Sequence, residues 1–349
     1  MYRHGARYPT SGSLPTTFSA KLQQATQSYT GFNATGDLAF LNDWTYKLGA
    51  ELLTPFGRLQ NFELGIEARQ LYGHLLNNFT AQGALPVFRT ESQDRMVKTA
   101  QNFAAGFFGV PEFLEQVNLE IVVEATGFND TGAPYDTCKN SNVASRGQIG
   151  STAATNFAAT AFAPTVSGLQ SYLTGVNLTT TDIVSMLQLC SYETVALGYS
   201  KFCSLFTEDE LKDYEYYYDI AFYYNNGFGS PVAAAQGKGY LEEFVSRFQH
   251  QALSEYNSTT NSTLDSNPAT FPLNQSIYAD ATHEVVVLDT LTALNLTAIF
   301  ASGPPPLTGR PVQQNSFVAS QVVPFATHLV IQVLECPQMT PTKQARFIL

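Results

Sequence analysis

Short β-forming runs lie near both ends of this chain, and a long block of helical periodicity separates them. Residues 85–89 (LPVFR) and 119–125 (LEIVVEA) have the apolar, β-branched character of strands. So do 276–281 (SIYADA), 325–335 (FATHLVIQVLE), which reads as buried, and 344–349 (QARFIL). Between them, 146–174, 182–198, 207–222 and 236–253 predict helices, with Thr181 or Asp182 and Thr207 as N-caps. Residues 61–79 predict a helix with Phe62, Ile66, Leu71, Leu75 and Phe79 on one face, and Ser92 an N-cap for a helix over 93–108. A further helix is predicted over 284–295, an exposed loop over 254–272 and a stiff surface turn over 303–311. Strands at both ends around a helical block imply an α/β sheet domain interrupted by an α lobe. A ligand site would then lie beyond the carboxyl ends of the strands.

Charge narrows the function. The chain of 349 residues carries 18 Lys+Arg against 29 Asp+Glu, a formal net charge of −11. Scattered cations and an acidic balance argue against nucleic acid as a partner. No apolar run approaches the roughly 18 residues of a membrane span. Asn33, Asn78, Asn129, Asn177, Asn257, Asn261, Asn274 and Asn295 each begin an Asn-x-Ser/Thr triplet, which points to a secreted glycoprotein. The four cysteines form no Cys-x-x-Cys pair, so neither a zinc nor a redox site is indicated. Cys190 and Cys203 are close enough in sequence for a local disulfide, although four cysteines allow three pairings.

The chemistry concentrates in Arg3-His4-Gly5-Ala6-Arg7-Tyr8-Pro9. The pattern RHG-x-R-x-P would arise by accident in about one of 70,000 chains of this composition. Guanidinium forks match the oxygens of a phosphoryl group and keep their charge at any working pH. An imidazole between two such cations is a good nucleophile for the phosphorus they hold in line. The glycine permits close backbone approach.

Together with LLTPFG (52–57), FRTESQDRMVKTAQNF (88–103), GFGSPVAAAQGKGYLEEFV (227–245) and TLDSNPATFPLNQSIYADATHE (263–284), this motif resembles the histidine acid phosphatases, especially their fungal phytase branch. The resemblance is collinear with nearly the whole chain. It implies a phosphoglycerate-mutase-like α/β sandwich, with the catalytic α/β domain over 1–111 and 268–349 and a mainly helical lobe over 112–267. It implies His4 as nucleophile, Arg3, Arg7 and Arg95 as phosphate ligands, His283 as a further donor to phosphate, and Glu284 as proton donor. The implied reaction is acid phosphomonoester hydrolysis through a phosphohistidine, without metal or other cofactor. Its substrate would be a small phosphomonoester such as inositol hexakisphosphate, and its form a monomer. The alternatives are a broad-specificity acid phosphatase and a relative that binds phosphate ligands with weakened catalysis.

Three departures from the family pattern stand out. Glu284 replaces the usual aspartate, one methylene longer. Lysines that fungal phytases place around the substrate are missing from Thr10–Thr17 and from 219–224. The chain reads as truncated at both ends, because a leader, a cysteine and a strand precede the motif in the family. By the same resemblance Cys336 and Cys138 would pair with cysteines outside this sequence, leaving Cys190–Cys203 as the internal disulfide. His74, His250 and His328 read as structural or surface residues, Glu208-Asp209-Glu210 as a solvated helix start, and the tyrosines over 214–224 as lobe packing.

Overall fold

A computed structural model describes residues 1–76, 83–313 and 316–349. Asn78 and Phe79 lie outside the described residues. Four short strands run parallel at the centre. Tyr2–Arg3 pairs with Ala281–Thr282, and Val87–Glu91 pairs with Asn118–Val122. A parallel bridge from Arg89 to Asp280, with the Arg89 amide donating to Ala279, joins the two pairs. On the other side of Tyr2, an antiparallel bridge to His328 leads into the hairpin Val330–Glu335 and Lys343–Ile348. The strand before His4 is two residues long, yet it is hydrogen-bonded on both sides: Tyr2 to Asp280, and Arg3 to Thr327.

Helices cover both faces of this sheet. On one side, Pro55–Tyr72 and Asp94–Phe108 pack together, and Met96, Ala100, Phe103 and Phe107 close over Tyr2, Phe88, Ala279 and Ala281. On the other, Glu284–Ala293 is buried against Ala233–Gln249 and Glu208–Asn226. Val287, Leu288 and Leu291 there meet Tyr223, Phe300 and Phe317.

The first helical pair corrects the expected face. Ile66, Leu71 and Leu75 are exposed, whereas Gly57, Asn61, Leu64 and Gly65 are buried. The reason is close packing: a Cβ on Gly65 would sit 2.1 Å from the Phe103 carbonyl oxygen, and one on Gly106 2.0 Å from that of Phe62. Backbones in contact leave no room for large side chains in the seam, so these turn outward.

Other boundaries shift for local reasons. Gln93, not Ser92, precedes the helix Asp94–Phe108, because the Ser92 hydroxyl accepts from the Glu124 amide. Thr179, rather than Thr181 or Asp182, caps Thr180–Leu197 by a reciprocal capping box with Asp182. Thr207 caps Glu208–Asn226 as expected. The predicted helix 146–174 is broken into Ala144–Gly147, Ile149–Ala161 and Ala163–Gln170, with Pro164 starting the last. The loop 254–272 is only partly exposed, since Thr259, Thr260, Asp265 and Phe271 are buried. Val330–Glu335, expected to be buried, has one face in solvent because it lies beyond the helical cover.

The lobe has its own core. Phe18, Leu22, Leu38, Leu41 and Leu48 pack with Ile183, Met186, Leu187 and Phe202, so the segment 14–48 joins the lobe in the packing. Cys190 and Cys203 form a disulfide there, while Cys138 and Cys336 are free thiols. The tyrosines serve packing as expected: Tyr216 donates to the Pro306 carbonyl and Tyr223 meets Phe300 and Phe317 edge-on. No helix among the described residues is long and apolar enough to cross a membrane.

Candidate active site

All four parallel strands end at one place, and each delivers a polar group there. His4 follows Tyr2–Arg3, His283 follows Ala281–Thr282, Arg95 opens the helix after Val87–Glu91, and Glu124 stands two residues beyond Asn118–Val122. The sheet order therefore gathers residues scattered from position 3 to position 284.

His4 is buried, and its ring is oriented by its own loop. Its Nδ1 lies 2.9 Å from the Gly5 carbonyl, which can only accept, so Nδ1 carries the proton and Nε2 offers its lone pair. Burial, then the Arg3 guanidinium, holds the imidazole well below its ordinary titration range. Both effects favour the neutral ring, the form that can act as a nucleophile. The loop that carries it is braced by the Leu-Thr-Pro-Phe-Gly turn. Thr54 donates to the Ala6 carbonyl through its amide and its hydroxyl, and caps the helix by accepting from Gly57. A Cβ on Gly5 would meet the Gly57 oxygen at 2.0 Å, and one on Gly57 the Ala6 oxygen at 1.9 Å. Both motifs need their glycines because the two backbones touch.

Glu284 occupies the centre of the cluster. One carboxylate oxygen lies 3.0 Å from Arg3 Nε and 3.6 Å from His4 Nε2. Burial alone would raise its titration, but Arg3, with His4, Arg7 and His283, holds the carboxyl well below the usual carboxylate range. In this state it is an anion paired with Arg3. It also opens the helix Glu284–Ala293, whose N-terminal dipole favours negative charge. The Arg3 guanidinium stacks 4.2 Å over the Phe325 ring and donates to the Val323 carbonyl, which fixes its plane.

His283 is buried, with its ring 5.6 Å from that of His4. Arg7 donates to the Tyr8 carbonyl, and its Nε is buried without a hydrogen-bond partner. Arg95 pairs with Glu51 at 2.8 Å, and its Nε is likewise unpartnered. Donors left this way suit an acceptor with several oxygens. Arg95 also helps to hold the Glu124 carboxyl low, which places it in the same electrostatic unit as His283. The expected residues Arg3, His4, Arg7, His283 and Glu284 thus form one cluster, and Arg95 joins it through Glu124.

Sequence reasoning missed Glu124 and Glu51. Glu124 contacts His283 at 3.3 Å. It falls inside the expected strand 119–125, whereas the strand ends at Val122 and frees Glu124 to reach the pocket. Glu51 holds Arg95 from a left-handed backbone (φ 65°) directly before the turn motif. Donor atoms of His4, His283 and Glu284 lie within 4.8 Å of one another. The Arg3 guanidinium in contact with Glu284 sets a positive field there that favours an anion over a metal ion.

Of the glycosylation candidates, Asn33, Asn177, Asn257, Asn274 and Asn295 are exposed. Asn129 and Asn261 are half-buried, and their side-chain amides donate to Thr260 and Asn129 carbonyls, so they are poor acceptor positions.

Known proteins resemble this chain over nearly its whole length. Phytase A of Aspergillus awamori is 34% identical over 96% of this chain and 72% of its own length. Phytase A of Aspergillus fumigatus is 35% identical over the same shares. The solved phytase from D. castellii superposes with a TM-score of 0.75 at 23% identity, covering 99% of this chain and 70% of that one. The multiple inositol polyphosphate phosphatase of Bifidobacterium longum, in complex with phosphate, gives 0.68 at 12% identity, covering 100% and 84%. The family model of the histidine phosphatase superfamily (branch 2) matches residues 1–348, and the chain belongs to that family.

Proposed function

We propose that this protein hydrolyses phosphomonoesters in acid through a phosphohistidine on His4, and that inositol hexakisphosphate is its substrate. The observation that carries the reading is the Gly5 carbonyl holding the proton on His4 Nδ1, so that Nε2 faces the Arg3 and Glu284 side chains. Arg3, Arg7 and Arg95 take the phosphoryl oxygens, and His283 donates to one of them. Nε2 attacks phosphorus, the P–O ester bond breaks, and Glu284 gives the leaving alkoxide its proton. The Glu284 carboxylate then takes a proton from water, which attacks the phosphohistidine and releases phosphate. No step uses a metal or other cofactor. The relatives' name, Phytase A, supports the substrate. The exposed sequons and the disulfide support action outside the cell.

The same reading divides the chain into the α/β part, 1–111 and 268–349, and the lobe, 112–267, amended so that 14–48 packs with the lobe. A second substrate reading, a broad phosphomonoesterase, is favoured by Phe325 against Arg3 and by the lysine-free loop 10–17. Competition between inositol hexakisphosphate and an aryl phosphate decides between them. The test of the chemistry is His4→Ala. Turnover should vanish, and wild-type enzyme quenched and held in alkali, where a P–N bond survives, should carry one labelled phosphate that the variant lacks. Retained turnover would end the proposal.

A further inference from the structure

We propose that Glu124 is a positioning residue for His283: it fixes the imidazole in the pocket and keeps a proton on both ring nitrogens, so that the nitrogen facing the substrate can donate. The inference rests on the reading of the pocket as a phosphoryl site.

The geometry is as follows. Glu124 Oε2 lies 3.3 Å from His283 Nε2, and both side chains are buried. A carboxylate only accepts, so this contact places a proton on Nε2. In a neutral imidazole the other nitrogen would then be bare and would repel a phosphoryl oxygen. Donation to phosphate therefore requires the doubly protonated ring, and a buried anion in contact is what stabilises it.

Glu124 is itself held in place. Its Oε1 accepts from the Tyr135 hydroxyl at 2.7 Å and from Gln93 Nε2 at 2.5 Å, and its amide donates to Ser92. Two segments, at Ser92-Gln93 and at Tyr135, thus hold one carboxylate against one ring.

The other ionisable groups facing this pair do not supply the same charge. Glu91, at the end of its strand, is pushed well up by burial and by Asp130. Asp130 is raised to about 7, mainly by burial, and Asp136 is also pushed up by burial. Burial thus favours the protonated forms of Glu91 and Asp130, and shifts Asp136 in the same direction. Arg95 stands on the Glu124 side as a cation, while His4 and Glu284 face the ring from the pocket side. Glu284 is committed to Arg3. Glu124 is left as the anion dedicated to His283.

The test compares Glu124→Gln and Glu124→Asp with the parent, all checked for folding by circular dichroism. Imidazole NMR of His283, assigned by its loss in His283→Asn, is followed against pH in the resting protein. Gln keeps an acceptor but not the charge, so the midpoint of the ring should fall by about one pH unit, while Asp should restore most of it. The alkaline limb of kcat/KM should move down by the same amount in Gln, with kcat near pH 4 changed less than threefold. An unmoved midpoint in Glu124→Gln would overturn the proposal, as would equal loss of kcat at every pH. The NMR arm needs no turnover, so a protein that hydrolysed nothing would fail the functional reading without touching this one.

Discussion

Because the Glu284 carboxylate sits where an incoming anion must go, anion binding should draw a proton onto this site. The oxygen is 3.0 Å from Arg3 Nε and 3.6 Å from His4 Nε2, among the groups that would grip a phosphoryl group. At an effective dielectric near 20, the Arg3 pair is worth about 5.5 kcal/mol of direct attraction. A bound oxyanion cancels that attraction and adds repulsion, so the carboxyl takes up a proton as the anion enters. Sulfate is a clean probe, since it holds no proton of its own at pH 4–7. Calorimetry in buffers of different ionisation heat should show about one proton absorbed per sulfate. The affinity should fall about tenfold for each pH unit. Glu284→Gln has no charge to neutralise, so its slope should be one unit shallower and its affinity higher at pH 6. Glu284→Asp withdraws the carboxylate by about 1.3 Å, which weakens the Arg3 attraction by about 1.6 kcal/mol and should raise sulfate affinity by about tenfold. With a poor leaving group, Glu284→Gln should lose about 100- to 10,000-fold in kcat. Identical slopes and buffer heats in parent and Gln variant would refute the reasoning, whatever happens to turnover.

Two further outcomes follow from buried groups. Asp130, Asp219 and Asp265 are raised by burial to about 7, and Asp289 is pushed well up, so folding favours their protonated forms. Their contribution is complete below the unfolded range near 3.8 and is lost as pH climbs to about 7, whereas Asp280, held well below that range against the push of burial by Arg247 and Arg89, contributes above it. Thermal midpoints should therefore peak near pH 4–5 and decline toward neutrality, and Asp289→Asn should flatten the decline; a midpoint rising from pH 5 to 7 would contradict this. Gly57→Ala drives a methyl to 1.9 Å from the Ala6 oxygen and should cost about 3 kcal/mol by urea unfolding, with kcat/KM down about 100-fold as the His4 loop shifts.

What was legible in the sequence was chemistry compressed into neighbours. Arg3, His4 and Arg7 share one loop, and His283 and Glu284 are adjacent, so their grouping needed no knowledge of the fold. Arg95 could be placed by resemblance alone, because an arginine at the start of a helix is otherwise common. Glu124 was hidden for a physical reason: its role exists only when Asn118–Val122 lies beside Val87–Glu91, and a strand edge is not written in the five residues that form it. The misread helix face has a similar origin. Apolar periodicity finds side chains that fill space, but the seam between Pro55–Tyr72 and Asp94–Phe108 is built from glycines that remove it. Residues 14–48 were assigned by chain order, whereas Phe18 and Leu41 found their partners across more than a hundred residues of sequence, in the lobe.

The short strands raise the question of what holds the pocket to fixed dimensions. Ala281–Thr282 and Tyr2–Arg3 share only two ladder positions, too few to resist sliding. The missing constraint lies directly behind them. Asp280 is buried and accepts from Arg89 Nε at 2.9 Å, from Arg247 Nη1 at 2.5 Å and from the Tyr240 hydroxyl at 2.9 Å. Arg89 also pairs with Glu243. One carboxylate therefore ties the strand that ends in His283 to the strand that leads to Arg95 and to the helix Ala233–Gln249. Buried ion pairs seldom add much net stability, but breaking one strands a charge, so they specify a single arrangement. In this protein the ionic clamp sets the register that hydrogen-bonded ladders set in longer sheets, and the side chains gathered at the strand ends inherit their spacing from it.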